Sequence, residues 1–491
     1  MVSPERSVLE LAIAILLSLV FGALVVLSPY LPVPSAFQKL ILVIPFIFTL
    51  AILINNLERL ILFIIAVGIP LNLDISIIIS PLARNVANIA SGRTIVALTE
   101  LRISLIMIIV IAGYLLWLVG RRGMVRYPIR YFPSITIPAI GLIVISLLSI
   151  TQAQDTQLAF FKIMMLIELF LIYFYVANHL RTKSDLQFFM LVFMGALLAE
   201  SILMVLQWQT GWSFSVAGIN AIIDPDSHRA AGTLGTANSA GVVITGYLAL
   251  TCAMFWLFPR RTQKVFAVIC FVCGCVALIS TAGRAAWGGF IVAFLAFILI
   301  GTQQGLVSRK AVIWLFLALI LISGLFYPVI SQRLTANDSG SAASRLVMAK
   351  LAWNVIRSSP THFFIGVGAN NYALIAPAYY STDVGRLGYI IDSSVHNAYL
   401  LAWAETGLIG LIFYLIFLFT PLLHAWKNIF SHDRFVSLMA LGLGCALLAI
   451  YIQMLVDPFI ARPKMIIVWL LIALIASLDN MHPSKISVTK L

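Results

Sequence analysis

Long apolar runs recur from one end of this chain to the other, and each of about 18 residues or more can cross the roughly 30 Å hydrocarbon core of a bilayer. A spanning segment must satisfy its backbone N–H and C=O groups internally, so each run reads as a helix. Run length and flanking charge together give about fourteen spans, at 7–28, 36–54, 58–79, 102–119, 133–150, 157–177, 185–207, 238–258, 264–281, 285–301, 310–330, 395–419, 434–456 and 463–479. Of the 491 residues, 62% are hydrophobic and 10% charged, against about half and about a quarter in a soluble domain. The expected fold is an all-α polytopic membrane protein. The run at 58–79 is interrupted by Pro70, Asn72 and Asp74. The first run, after Glu5 and Arg6, is long enough to span and lacks a small-residue cleavage site, so no cleavable signal peptide is expected.

The net charge of +13 would suit a nucleic-acid partner only if the basic residues shared a face. They fall instead in short connections: Arg121, Arg122, Arg126 and Arg130; Arg181 and Lys183; Arg260, Arg261 and Lys264; Arg309 and Lys310. These alternate with connections poor in lysine and arginine, such as SITQAQDTQ. That is the positive-inside pattern. No nucleic-acid partner is expected, and both termini are expected in the cytoplasm. Cys270, Cys273 and Cys275 lie inside one apolar run without a nearby histidine or acid. They read as small core residues, not metal ligands.

Residues 1–207 are expected to form an N-terminal transmembrane bundle and 208–480 a second transmembrane core, with 481–491 a cytoplasmic tail. On the outer side three connections are long, at about 80–101, 208–237 and 331–395. Long connections in a compact protein are usually functional or disordered. The largest, before the last three spans, is expected to be partly helical. Leu346, Val347, Leu351, Trp353, Val355 and Ile356 recur at helical spacing, with Lys350, Asn354 and Arg357 largely opposite. Pro360 is expected to end that helix, and GVGANNY to make a turn. The chain shows no internal repeat, which disfavours transporters built from repeated halves.

Arginine is depleted on the outer side of membrane proteins, so each one there needs a reason. Four stand in distinctive sequence: Arg229 in SHRAAGTLGTANSAG, Arg284 in STAGRAAWGG, Arg345 in SAASRLVMAK and Arg462 in DPFIARPK. A guanidinium is always charged and offers a planar fork of donors that matches phosphate oxygens. Several of them at one membrane face would suit a lipid-linked phosphate or pyrophosphate; snorkelling, or pairing with acids such as Asp457, is the alternative. Asp457 and Arg462 are near enough in sequence to brace one outer corner. The glycines after Arg229 let a backbone approach an anion, and equally suit a re-entrant or tightly packed loop.

His396 and Asn397 sit where a polar segment meets an apolar one. A neutral imidazole there can take a proton from a hydroxyl near pH 7; the pair can equally hydrogen-bond a helix end. Glu405 is nine positions on, so on one straight helix it faces away from His396. A carboxylate at that depth is expected to find a partner on another span, as are Glu168 and Glu200.

Taken in order, RAAGTLGTANSAG, STAGRAAWGGF, SRLVMAKLAWNVIRSSPTHFFIGVGANNY and HNAYLLAWAETGLIGLIFYL resemble the O-antigen ligase and O-antigen polymerase superfamily of bacterial membrane glycosyltransferases. The resemblance covers roughly residues 220–480, and the N-terminal half matches in hydropathy alone. One departure is Ala237, where the family commonly has proline before the asparagine matched by Asn238. The resemblance implies a multi-pass protein of the bacterial cytoplasmic membrane with its active site on the extracytoplasmic side. It implies en bloc transfer of a glycan from an undecaprenyl pyrophosphate carrier to an acceptor sugar hydroxyl, on lipid A-core in ligases or on a second lipid-linked repeat unit in polymerases. His396 matches the catalytic histidine, and Arg284 and Arg345 match two arginines thought to hold the pyrophosphate. Arg229 and Arg462 are further candidates for that role, with Asn397, Glu405 and Asp457 in support. No metal or other cofactor is expected. The bilayer, the lipid-linked donor, the glycan acceptor and other polysaccharide-assembly proteins are the implied partners. A transporter or flippase of lipid-linked sugars is the rival from another class, and an inactive assembly scaffold a third reading.

Overall fold

The computed structural model describes residues 56–71, 74–79, 98–119, 129–216, 219–221, 223, 228–335, 341–380 and 395–481. The expected spans at 7–28 and 36–54, the basic residues Arg121, Arg122 and Arg126, and all of the tail but Met481 lie outside them.

Helix α1 (Leu57–Leu71) leads to a hairpin of β1 (Asp74–Ile79) and β2 (Glu100–Ser104), which feeds α2 (Leu105–Val119). Then come α3 (Pro133–Leu148), α4 (Thr156–His179) and α5 (Lys183–Thr210), and a short hairpin of β3 (Phe214–Val216) and β4 (Ile219–Ala221). The second part holds α6 (Ala237–Leu257), α7 (Arg261–Ser280), α8 (Arg284–Gln303), α9 (Arg309–Leu325) and α10 (Tyr327–Thr335). The long connection contains α11 (Ser341–Arg357), α12 (Pro360–Phe364) and α13 (Tyr372–Ile375). The last helices are α14 (Ala398–Ile429), α15 (Arg434–Met454) and α16 (Arg462–Leu478). Polar side chains start several of them by accepting first-turn N–H groups: Asp155 for α4, Thr182 for α5, Thr236 for α6, Asn397 for α14 and Asp433 for α15.

Among the described residues, eight helices are long and apolar enough to cross a membrane, or nine if a bent pair counts as one span. That pair is α9 with α10, which turn through 72° around Phe326. The expected straight span at 310–330 is therefore a helix to Leu325 and a second, folded-over helix. The run at 58–79 also needs correction. Its helix stops at Leu71, just after Pro70, and the isoleucines beyond Asp74 join the β1–β2 ladder, as β-branched residues readily do. The strands form two short two-stranded pairs at the edges of two long connections, and the described residues are otherwise mainly helical, consistent with an all-α membrane protein. Pro360 does not terminate α11, which ends at Arg357. It opens α12, with Ser359 as cap, the helix position where proline's missing N–H costs nothing. Of the expected apolar stripe on α11, Val347, Leu351, Val355 and Ile356 are buried. Leu346 and Trp353 face outward.

Helices α6 and α15 pack on each other and, with α16, are buried along most of their length, with α7, α8 and α14 around them. Gly289 lets α8 come so close to α15 that an added Cβ would lie 2.8 Å from the Ala449 carbonyl oxygen, the small-residue contact common between membrane helices. Cys270 and Cys275 are buried and Cys273 half-buried, all three as free thiols. A second, smaller core joins the long connection to the start of α14, through Leu351, Val355, Ile356, Val367, Tyr372, Leu401 and Ala404.

Candidate functional site

A cavity of about 190 Å³ opens where the N-termini of α6 and α8 meet the C-terminal end of α15. Arg229, Arg284, Arg333 and Arg345 all line it, each half-buried, together with Asn238, Gln453 and Asp457. The turn Thr281–Gly283 organises the group. Arg229 donates from Nε to the Thr281 carbonyl oxygen at 2.7 Å and from Nη2 to Asn238 Oδ1 at 2.7 Å. Arg333 donates from Nε to the next carbonyl, Ala282, at 3.0 Å. Arg284 follows as the first residue of α8, so the positive end of that helix adds to the guanidinium charge. Four cations around one space repel each other unless an anion joins them.

Among the described residues, Asp457 is the one acid of this wall, and it is paired with a cation. Both oxygens of Asp457 accept from Lys464 Nζ at 2.7 Å. The expected brace between Asp457 and Arg462 is thus replaced by Asp457 with Lys464. Arg462 lies elsewhere, lining a separate cavity of about 260 Å³ with Asp74, Glu100, Arg102, Thr236 and Ser239. It pairs with Glu168 of α4 and with Asp74 at 3.5 Å, and donates to the Arg102 carbonyl oxygen. A buried carboxylate needs a cation, and Glu168, 4% exposed, takes Arg462.

His396 is half-buried immediately before α14 and is not among the residues lining the arginine cavity. Its neighbour Asn397 is fixed near that wall. Its Oδ1 accepts from Leu400 N at 2.9 Å and its Nδ2 donates to the Leu455 carbonyl oxygen at 3.0 Å. The next residue, Val456, lines the cavity. Glu405 shares a small cavity of about 70 Å³ with Lys162 of α4, and its backbone carbonyl oxygen accepts from Gly368 N of the long connection at 3.1 Å. Glu200 likewise holds the loop after Arg229, accepting from Thr233 N at 2.5 Å and lying 2.9 Å from Thr233 Oγ1. All three acids raised from the sequence have found partners from other segments.

The GVGANNY turn is clamped by two amides. Asn370 Oδ1 accepts from Leu98 N, and its Nδ2 donates to the Leu98 and Leu158 carbonyl oxygens. Asn371 does the same with Asp155 N and O. Asn370→Ala should lower stability by about 2 kcal/mol or more, because it strands buried backbone groups. A thermal melt in detergent that matches wild type would show that water replaces the amide there.

Among the described residues, five non-glycine positions have positive φ: Phe132, His228, Ala282, Asn370 and Phe459. Four of them adjoin Arg229, the Arg284 turn, the amide clamp or Asp457, in keeping with strain gathering at functional sites. The sequence reading missed Arg333, Asn238, Gln453 and Lys464 as part of this site. Arg333 carried a similar signal, an arginine just beyond an apolar run, but stood in unremarkable sequence.

No curated protein gives a significant match to this chain. The O-antigen ligase family model matches residues 269–415, a segment that contains Arg284, Arg333, Arg345, His396, Asn397 and Glu405. Arg229, Asp457 and Arg462 fall outside the matched residues. At Ala237, the departure from the family pattern, the structure has the first residue of α6; proline suits that position, and alanine there still presents Asn238 to Arg229. Over that segment the chain is similar to the O-antigen ligase family.

Proposed function

We propose that this protein transfers a glycan en bloc from a polyprenyl pyrophosphate carrier to an acceptor sugar hydroxyl, in the manner of an O-antigen ligase. The observation that supports it best is the shared cavity of Arg229, Arg284, Arg333 and Arg345, whose acid is already paired with Lys464. In this reading the acceptor oxygen attacks the anomeric carbon as the bond from that carbon to the phosphate oxygen breaks. His396 takes the hydroxyl proton, and the lipid pyrophosphate leaves into the arginine cluster. One displacement inverts the anomeric centre. Each donor aimed at the developing charge is worth on the order of 3 to 4 kcal/mol. The site faces away from the cytoplasm, and the long connection shields the sugars from water.

Purified protein in liposomes, given lipid-linked donor and an acceptor glycan, tests this directly. A new glycosidic bond is expected. Movement of the donor across the bilayer with no bond formed would instead make the protein a transporter, and products lengthened by whole repeat units on the lipid carrier would make it a polymerase. Arg284→Lys should lower transfer by about ten-fold or more, since an ammonium cannot replace the bidentate fork. Near-normal turnover of that variant would reduce Arg284 to a structural role.

A further inference from the structure

We propose that Arg333 is a further binding residue for the diphosphate, oriented by the same device that orients Arg229; this rests on the function proposed above. Both guanidiniums use Nε to grip consecutive carbonyls of one turn, Arg229 on Thr281 and Arg333 on Ala282. That turn leads directly into Arg284. A guanidinium carries five N–H donors in a fixed plane, and one bond at Nε sets the direction of the two terminal nitrogens. The turn therefore acts as a collar that aims two arginines into the cavity from opposite sides in sequence.

Arg333 reaches this place because of the 72° bend between α9 and α10. Had α9 continued straight, residue 333 would stand about 12 Å beyond Leu325 along the helix axis. Phe326 holds the bend, packing on Trp208 with ring centroids 5.8 Å apart. Val329 and Ile330 near the start of α10 pack, half-buried, against the core. The bond from Arg333 to the Ala282 carbonyl ties down its other end.

The test measures binding by the full-length protein in nanodiscs, with farnesyl pyrophosphate and inorganic pyrophosphate as probes. Arg333→Gln keeps an N–H that can reach the Ala282 carbonyl but removes the charge. It should weaken both probes by about ten-fold. The gap from wild type should narrow as salt is raised, because salt screens a charge contribution and leaves a purely structural one unchanged. Arg357→Gln, at an exposed arginine bonded to Asn354, should bind as wild type. If only farnesyl pyrophosphate is affected, Arg333 acts on the lipid part and the proposal fails. If Arg333→Gln binds normally while Arg284→Gln does not, Arg333 is merely a tether and the function proposed above survives. If both bind normally, the diphosphate reading fails along with this one. Should Arg333→Gln not fold, Arg333→Lys carries the test: a loss of about three-fold or more supports the fork, and none overturns it.

Discussion

Replacing His396 by alanine should lower glycan transfer by roughly 100- to 10,000-fold, the usual contribution of a positioned general base. Binding of a polyprenyl pyrophosphate should change little. His396 is not among the residues lining the cavity, and its neighbour Asn397 bonds to the Leu455 carbonyl oxygen, one residue from the lining residue Val456. A base for the acceptor should stand there, beside the leaving-group site and not within it. The expected signature is a fall in kcat with KM for the donor nearly unchanged. Intact turnover in His396→Ala would remove the imidazole from the reaction, and an equal loss of donor affinity would make it part of the anion site.

Gly407→Ala should cost about 3 kcal/mol or more, with a drop in melting temperature of about 3 °C or more in detergent. Gly407 breaks α14 with φ 70° and ψ −177°, a combination open in practice only to glycine. Its added Cβ would lie 2.2 Å from the carbonyl carbon and oxygen of Phe364. The contact is mutual, since a Cβ on Gly366, at φ 87°, would lie 2.4 Å from the backbone of Glu405. Between the two glycines, Val367 N donates to the Ala404 carbonyl oxygen at 2.8 Å and Gly368 N to that of Glu405 at 3.1 Å. The break thus gives α14 carbonyls partners in the long connection. A Gly407→Ala protein that melts like wild type would mean the helix can run straight and the connection can dock elsewhere.

Much of the helical layout was legible, because a spanning run is written as continuous apolar sequence and its ends as polar caps. The expected spans at 157–177, 185–207 and 434–456 match α4, α5 and α15 to within three residues at each end. The isoleucines after Asp74 misled because their apolar character fits a buried helix and a strand equally; pairing with β2 decided between them. The bend after Leu325 lies between Gly324 and Pro328, signals that the length of the apolar run overrode.

Residue types were set by the amino-acid order alone, and they were enough to single out Arg284, Arg345 and Arg229. Which cation met which acid was not. Arg462 and Lys464 are two positions apart and chemically alike in charge, yet one went to Glu168 and the other to Asp457. Arg333 entered the cavity because a helix turned back. Charge type is a property of a residue, whereas partnership depends on distances between segments far apart in the chain, and only packing creates those distances.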